Sequence, residues 1–133
     1  MDVIRARPIV LVVDDEALLR ANVAEILTVG GYAILQAANA DEALRILDRR
    51  GDDISLVFTD VVMPGSMDGL ELLHRVAVRW PEIRLVVTSG RADIAKGDLP
   101  DGVRFCPKPY PKDELIAVMS ALLPRGRFDK SLH

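Results

Sequence analysis

Five short apolar runs punctuate the chain, and the stretches between them carry apolar residues at helical spacing. Ile9–Val13, Tyr32–Ala37, Ile54–Thr59, Ile83–Ser89 and Val103–Cys106 read as strands. Runs this short and this apolar suit a parallel sheet buried on both faces. After the first run, Leu19, Val23, Ile26 and Leu27 mark a helix that Gly30 and Gly31 close. Ala40, Ala43, Leu44 and Leu47 form the face of a second helix, opened by Asn39 and Glu42 in a capping-box pattern. Leu72, Leu73, Val76 and Trp80 stripe a third, which Pro81 ends. Leu115, Val118, Met119 and Leu122 stripe the last, with Pro111 placed for its first turn and Pro124 as its stop. Residues 90–102 are rich in glycine and acid and offer only a short helical stretch, Ala92–Lys96.

Strands alternating with helices call for an α/β fold: a doubly wound, five-stranded parallel sheet. The expected strand order is flavodoxin-like, 2-1-3-4-5, with the fourth helix short or degenerate. The 133 residues fit one domain, 1–133, with a core over about 8–124 and a short polar tail. In that order the first and third strands lie side by side where the winding reverses, and open α/β sheets place ligand sites there.

Those two strands end in acid. Ile9–Val13 runs into Asp14 and Asp15, and Leu56–Thr59 into Asp60. The fifth strand leads to Lys108. An unpaired carboxylate is costly inside a strand and at home at its end. Three converging carboxylates repel and need a cation, and a hard oxygen-only set suits Mg²⁺. An ionised carboxylate can also attack a phosphoryl group, giving an aspartyl-phosphate. Its equatorial oxygens then need neutralising, by the metal, by Lys108, and by a hydroxyl from Ser89 or Thr88. No histidine is needed as a base, and none lies near a strand end. Asp14 or Asp15 can equally cap the first helix.

Composition narrows the field. A formal net charge of −3 gives no electrostatic reason to expect nucleic acid. No apolar stretch approaches the ~20 residues of a membrane span. The single cysteine, Cys106, excludes an intramolecular disulfide framework, fits a cytoplasmic protein and reads as core packing. His74 falls opposite the stripe of its helix and reads as solvated.

Val-Val-Asp14-Asp15, Thr-Asp60-Val-Val-Met-Pro64, Met67-Asp-Gly69-Leu-Glu-Leu, Thr-Ser89-Gly90 and Lys108-Pro109-Tyr together resemble the receiver domain of two-component response regulators. The likeness runs from the first strand to the last helix. It implies that Asp60 is the phosphoacceptor. Asp15 would bind Mg²⁺ directly, Asp14 would hold the metal's waters, and the backbone carbonyl of Val62 would complete the protein's share of the coordination. It also implies that Lys108 meets the phosphoryl group, that the peptide before Pro109 is cis, and that Phe105 is the aromatic reporting the switch. Of the two hydroxyls, the family pattern selects Ser89, with Thr88 as fallback, because neighbouring strand residues face opposite ways.

The implied function is a stand-alone, non-enzymatic switch in two-component signalling. A sensor histidine kinase or histidine phosphotransfer protein would supply the phosphoryl group. Output would pass through protein contacts with a downstream partner, including phosphorylation-dependent homodimerisation. The loop Met63–Gly69 is one residue longer than the family's commonest form. Apolar Val62, with Arg91, sits where the family tunes acyl-phosphate hydrolysis; Val62 is expected to exclude water and prolong the phosphorylated state, which Val62→Asn would shorten. The rivals are a phosphate-independent module of the same fold, and an aspartyl-phosphate hydrolase. The hydrolase would want Asp-x-Asp where this chain has adjacent acids. A flavodoxin would want a Ser/Thr-rich phosphate loop, which is missing after the first strand.

Overall fold

The structure, a computed structural model, describes residues 7–61, 68–89 and 99–123. In chain order the elements are β1 (Ile9–Val13), α1 (Ala17–Val29), β2 (Ala33–Ala37), α2 (Ala40–Arg50), a 3₁₀ turn (Gly51–Asp53), β3 (Ile54–Asp60), α3 (Gly69–Arg79), β4 (Arg84–Ser89), β5 (Arg104–Pro107) and α4 (Lys112–Leu122). The strands form one parallel sheet in the order β2-β1-β3-β4-β5, the flavodoxin-like order expected. The stretch Ala92–Lys96, where a short helix was expected, lies outside the described residues.

Continuous apolar strands are explained by the two layers they serve. Val10, Val12, Leu56, Phe58, Val86 and Cys106 face α1 and α4, packing with Val23, Leu27, Leu115 and Met119. Leu11, Val13, Val57 and Val87 face the other way, onto Ala43 and Leu47 of α2 and Leu72, Leu73 and Val76 of α3. Each fully buried leucine stabilises the fold by about 1.5–3 kcal/mol. Leu72, Leu73 and Val76 of the α3 stripe are fully buried, with Trp80 at its end partly so, and Leu72→Ala would open a cavity costing about 2–5 kcal/mol.

Three strands start one residue later than the apolar pattern alone predicts, for one shared reason. The backbone N–H groups of Tyr32, Ile83 and Val103 are taken by turn bonds to the carbonyls of Leu27, Trp80 and Pro100. Each residue closes the preceding turn before its strand begins, and Tyr32 still buries its ring completely. Gly31, with φ of 104°, permits the turn that delivers it.

The caps also differ in detail. Neither Asp14 nor Asp15 is the N-cap of α1. That position is Glu16, and Asp14 Oδ1 instead accepts the Glu16 N–H at 2.9 Å, too early in the chain for capping. Asn39 caps α2 through the Glu42 N–H at 2.8 Å, while the Glu42 carboxylate reaches back to the N–H of Ala38 rather than of Asn39. Pro111 stands at the N-cap of α4, one residue before its first turn. Asp68 caps α3 through the Glu71 N–H at 3.0 Å.

Candidate functional site

Strand register decides which side chains meet. Val12 stands level with Phe58 and Val13 with Thr59, so the next residues, Asp14 and Asp60, emerge together from the sheet's carboxyl edge. Asp14 is tied down by its N–H, which donates to Ala37 on β2, and by Arg20 of α1, whose Nη1 donates to the Asp14 carbonyl at 2.6 Å. Arg20 Nε also reaches Gln36 Oε1 at 3.2 Å, so the guanidinium spans β1 and β2. At β3, the Val61 N–H donates to Thr88 O at 3.1 Å and the Thr59 hydroxyl to Asp60 O at 2.9 Å.

Carboxylate oxygens of Asp14, Asp15 and Asp60 all lie within 4.8 Å of one another. Asp14 and Asp60 are buried, while Asp15 is exposed at the rim. Lys108 Nζ donates to Asp60 Oδ2 at 2.8 Å and stands 4.0 Å from Asp14 Oδ2. The Lys108 backbone N–H donates to Ser89 O at 3.0 Å, and its bond to Pro109 is cis. β4 and β5 thereby carry the lysine to the two acids.

The electrostatics of the cluster are lopsided. Burial pushes the Asp14 carboxyl above its ordinary range. The Glu16 N–H and the Lys108 charge pull the other way without prevailing, and Asp60 and Asp15 add to the rise. Burial alone would lower Lys108, but its hydrogen bond to Asp60 and the charges of Asp60, Asp14 and Glu16 outweigh that and raise it. One ammonium thus serves an acid cluster that strains for positive charge. The donor set is hard, anionic and oxygen-only, the chemistry that suits Mg²⁺.

The hydroxyl candidates occupy different places. Thr88 shares a rung of the ladder with Asp60, and its buried Oγ1 makes no hydrogen bond among the described residues. Ser89 is the last residue of β4, one rung nearer the open edge and level with Pro107. Phe105 pairs with Val87 and is half-buried against the α2–α3 side of the core. Val62 and Arg91 lie outside the described residues. Cys106 is buried, and burial together with the charge of Glu114 pushes its thiol up, against the opposing charge of Arg104. His74 is exposed on α3.

Sequence reasoning missed two contributors. The grip of Arg20 on Asp14 has no sequence signal, because it depends on which helix face turns toward β1. Tyr110, edge-on to Phe58 at 5.9 Å, buries its hydroxyl, and burial with the charges of Asp14, Cys106 and Asp60 holds it protonated. Beside the cluster, α1 and α4 border an open groove of about 960 Å³ whose walls include Leu19, Ile26, Ile116, Lys108 and Pro109.

Comparison with known proteins agrees with this geometry. The family model described as response regulator receiver domain matches residues 10–120. The sensor kinase CckA of Brucella abortus (strain 2308) is 35% identical over 117 residues, 86% of this chain but 12% of that protein. A receiver domain protein from Clostridium thermocellum superposes with a TM-score of 0.81 at 26% identity, covering 89% of this chain and 95% of that one. CheY in a CheX–CheY–BeF3–Mg+2 complex from Borrelia burgdorferi superposes at 0.79 with 28% identity, covering 89% and 91%. The chain spans from 12% to about half (53%) of the length of the curated relatives it matches. With three strand-end acids meeting a lysine from β5 in this fold, the chain belongs to the response regulator receiver domain family.

Proposed function

We propose that the protein is a phosphorylation switch that accepts a phosphoryl group on Asp60 from the phosphohistidine of a histidine kinase or phosphotransfer protein. The observation that carries this reading is the meeting of Asp14, Asp15, Asp60 and Lys108 at the ends of three strands. Asp60 Oδ attacks phosphorus, a P–O bond forms, and the P–N bond to the donor imidazole breaks with its electron pair leaving on nitrogen. Asp14 and Asp15, with Asp60 and the Val62 carbonyl, would hold Mg²⁺. When bound, the metal neutralises phosphoryl oxygens and brings attacking and leaving groups into line. Lys108, already on Asp60 Oδ2, turns its ammonium to a second phosphoryl oxygen. Ser89, at the mouth of β4, donates to a third, and Phe105 follows its displacement.

Lys108 also lines the groove between α1 and α4, together with Leu19, Ile26 and the exposed Val29 of α1. That continuity gives the donor an apolar landing surface beside the acceptor. The similar structure from Borrelia burgdorferi is a CheX–CheY–BeF3–Mg+2 complex, and its Mg²⁺ supports assigning that metal to the acid cluster of this chain. The reaction modifies the protein itself, once per cycle, so we class it as a switch rather than an enzyme, acting in the cytoplasm where kinase domains meet ATP. It is the same whether a receiver is read alone or as one module of a longer chain.

Intact mass after incubation with acetyl phosphate tests the reading. One added phosphoryl group is expected, dependent on Mg²⁺ and absent in Asp60→Asn. No adduct on a wild-type protein that binds Mg²⁺ would favour the phosphate-independent module, and an adduct persisting in Asp60→Asn would move the acceptor elsewhere.

A further inference from the structure

The aim of the Asp60 carboxylate depends on where the peptide joining Asp60 to Val61 stands. Two elements hold that stretch. From β4, Thr88 O accepts the Val61 N–H. From the other side comes the first residue of α3, Gly69, whose N–H donates to Val61 O at 2.9 Å. The approach is closer than any side chain allows. A Cβ on Gly69 would fall on the carbonyl oxygen of Asp60, 2.8 Å from its carbonyl carbon and 2.9 Å from Val61 Cα. These are backbone atoms of a buried strand end, which cannot swing aside as the tip of a side chain can.

Gly69 is not needed here for a left-handed turn, since among the described glycines only Gly31 and Gly102 have positive φ. What matters is the missing side chain. Behind it α3 is rigid, with Asp68 capping its first turn and Leu72, Leu73 and Val76 sealed in the core. The bond from Gly69 to Val61 therefore ties the start of α3 to the end of β3.

We propose that Gly69 is a positioning residue for the phosphoacceptor. Its bare Cα lets the amino end of α3 seat directly on the Asp60–Val61 backbone, which aims the Asp60 carboxylate at Asp14 and Asp15 and couples α3 to the state of the site. This rests on reading Asp60 as acceptor and metal ligand. A methyl group at this position displaces either α3 or the strand end, and a displacement of about 1 Å in such a site can cost up to about 10²-fold in rate.

The test compares the full chain as wild type, Gly69→Ala and Val76→Ala. Val76→Ala loosens α3 from the core but leaves the seat on Asp60 intact. Thermal unfolding, Mg²⁺ affinity by calorimetric titration and phosphoryl uptake from acetyl phosphate are measured for each. Gly69→Ala is expected to unfold cooperatively, yet to bind Mg²⁺ and take up phosphoryl groups roughly tenfold or more weakly. Val76→Ala should lower Tm and keep wild-type Mg²⁺ affinity. Wild-type Mg²⁺ affinity in folded Gly69→Ala would overturn the proposal, as would losses that track Tm equally in both variants.

If Gly69→Ala does not fold, amide hydrogen exchange at Gly69 in the wild type decides. Protection that changes on adding Mg²⁺ and again on phosphorylation supports the coupling, and constant protection overturns it. A wild type that binds Mg²⁺ but takes no phosphoryl group would refute the phosphorylation reading alone, because the Mg²⁺ comparison still judges Gly69.

Discussion

The two ends of the sheet are built on opposite principles. At the carboxyl end the buried polar residues gather: Asp14, Thr59, Asp60, Thr88 and Ser89, which are all the buried polar or charged residues among those described. At the amino end the chain seals itself. Trp80 at the close of α3 packs over Gly51, and the Arg79 guanidinium lies 4.4 Å above its ring while pairing with Asp48 at 2.7 Å. One end contains Asp14, whose ionisation is made costlier by burial and by the charges of Asp60 and Asp15, and the other contains an aromatic lid with no buried charge among the described residues. Among the described residues, the strain of buried charge is confined to the one edge where chemistry is proposed.

Substitutions at each end should therefore fail differently. The largest effect is expected from Lys108→Ala, which removes the only ammonium placed on Asp60 among the described residues. Phosphoryl uptake from acetyl phosphate should fall about 10²-fold, the usual cost of removing one charge-stabilising donor. Uptake within a fewfold of wild type would show that the metal alone neutralises the phosphoryl group.

Next come the two hydroxyls. Ser89→Ala should slow uptake roughly tenfold, the loss of one hydrogen bond worth about 1.4 kcal/mol. Thr88→Val should leave uptake unchanged and stability equal or higher, because it deletes a buried hydroxyl that makes no hydrogen bond among the described residues. The reverse outcome in kinetics would transfer the role to Thr88, the residue on the rung of Asp60.

At the sealed end, Gly51→Val should destabilise by about 1–3 kcal/mol through overpacking against Trp80. Phosphoryl uptake per folded molecule should not change. A parallel loss of uptake would mean that the two ends are coupled through α3.

The smallest effect is expected from Asp14→Asn without Mg²⁺. Because burial raises the Asp14 carboxyl above its ordinary value of 3.8, the charged form costs stability, and that cost is present above the raised value. Removing the charge should raise Tm at neutral pH, and the gain should fade as pH falls toward 3.8, where the folded-state carboxyl is already protonated. Added Mg²⁺ should stabilise the wild type and narrow the difference. A Tm gain that is independent of pH would assign it to packing instead.

Much of this was legible in one dimension. The period of two in the strands is hidden by their burial on both faces, yet their shortness and the helical spacing between them specified the layers, while the strand order came from the likeness to flavodoxin-type sheets. The acids were legible because packing alone gives an apolar run no reason to end in a carboxylate. The cap of α2 was legible too, since Asn39 acts on Glu42, only three residues away.

What stayed hidden depends on distance between elements. The first residue of three strands went to turns, because a bond to Leu27 O, Trp80 O or Pro100 O competes with the sheet for the same N–H. Arg20 was one more exposed helix residue until β1 and β2 were brought beneath it. Gly69 read as part of a turn motif, and only the packed helix shows that its missing side chain makes room for the Asp60 backbone. By itself the sequence determined the elements, their layering and the chemistry delivered to the sheet's edge, because these follow from local periodicity and residue type. The tertiary structure alone decided which atoms hold that chemistry in aim, because hydrogen bonds and close packing between distant residues depend on ångström separations that no spacing along the chain encodes.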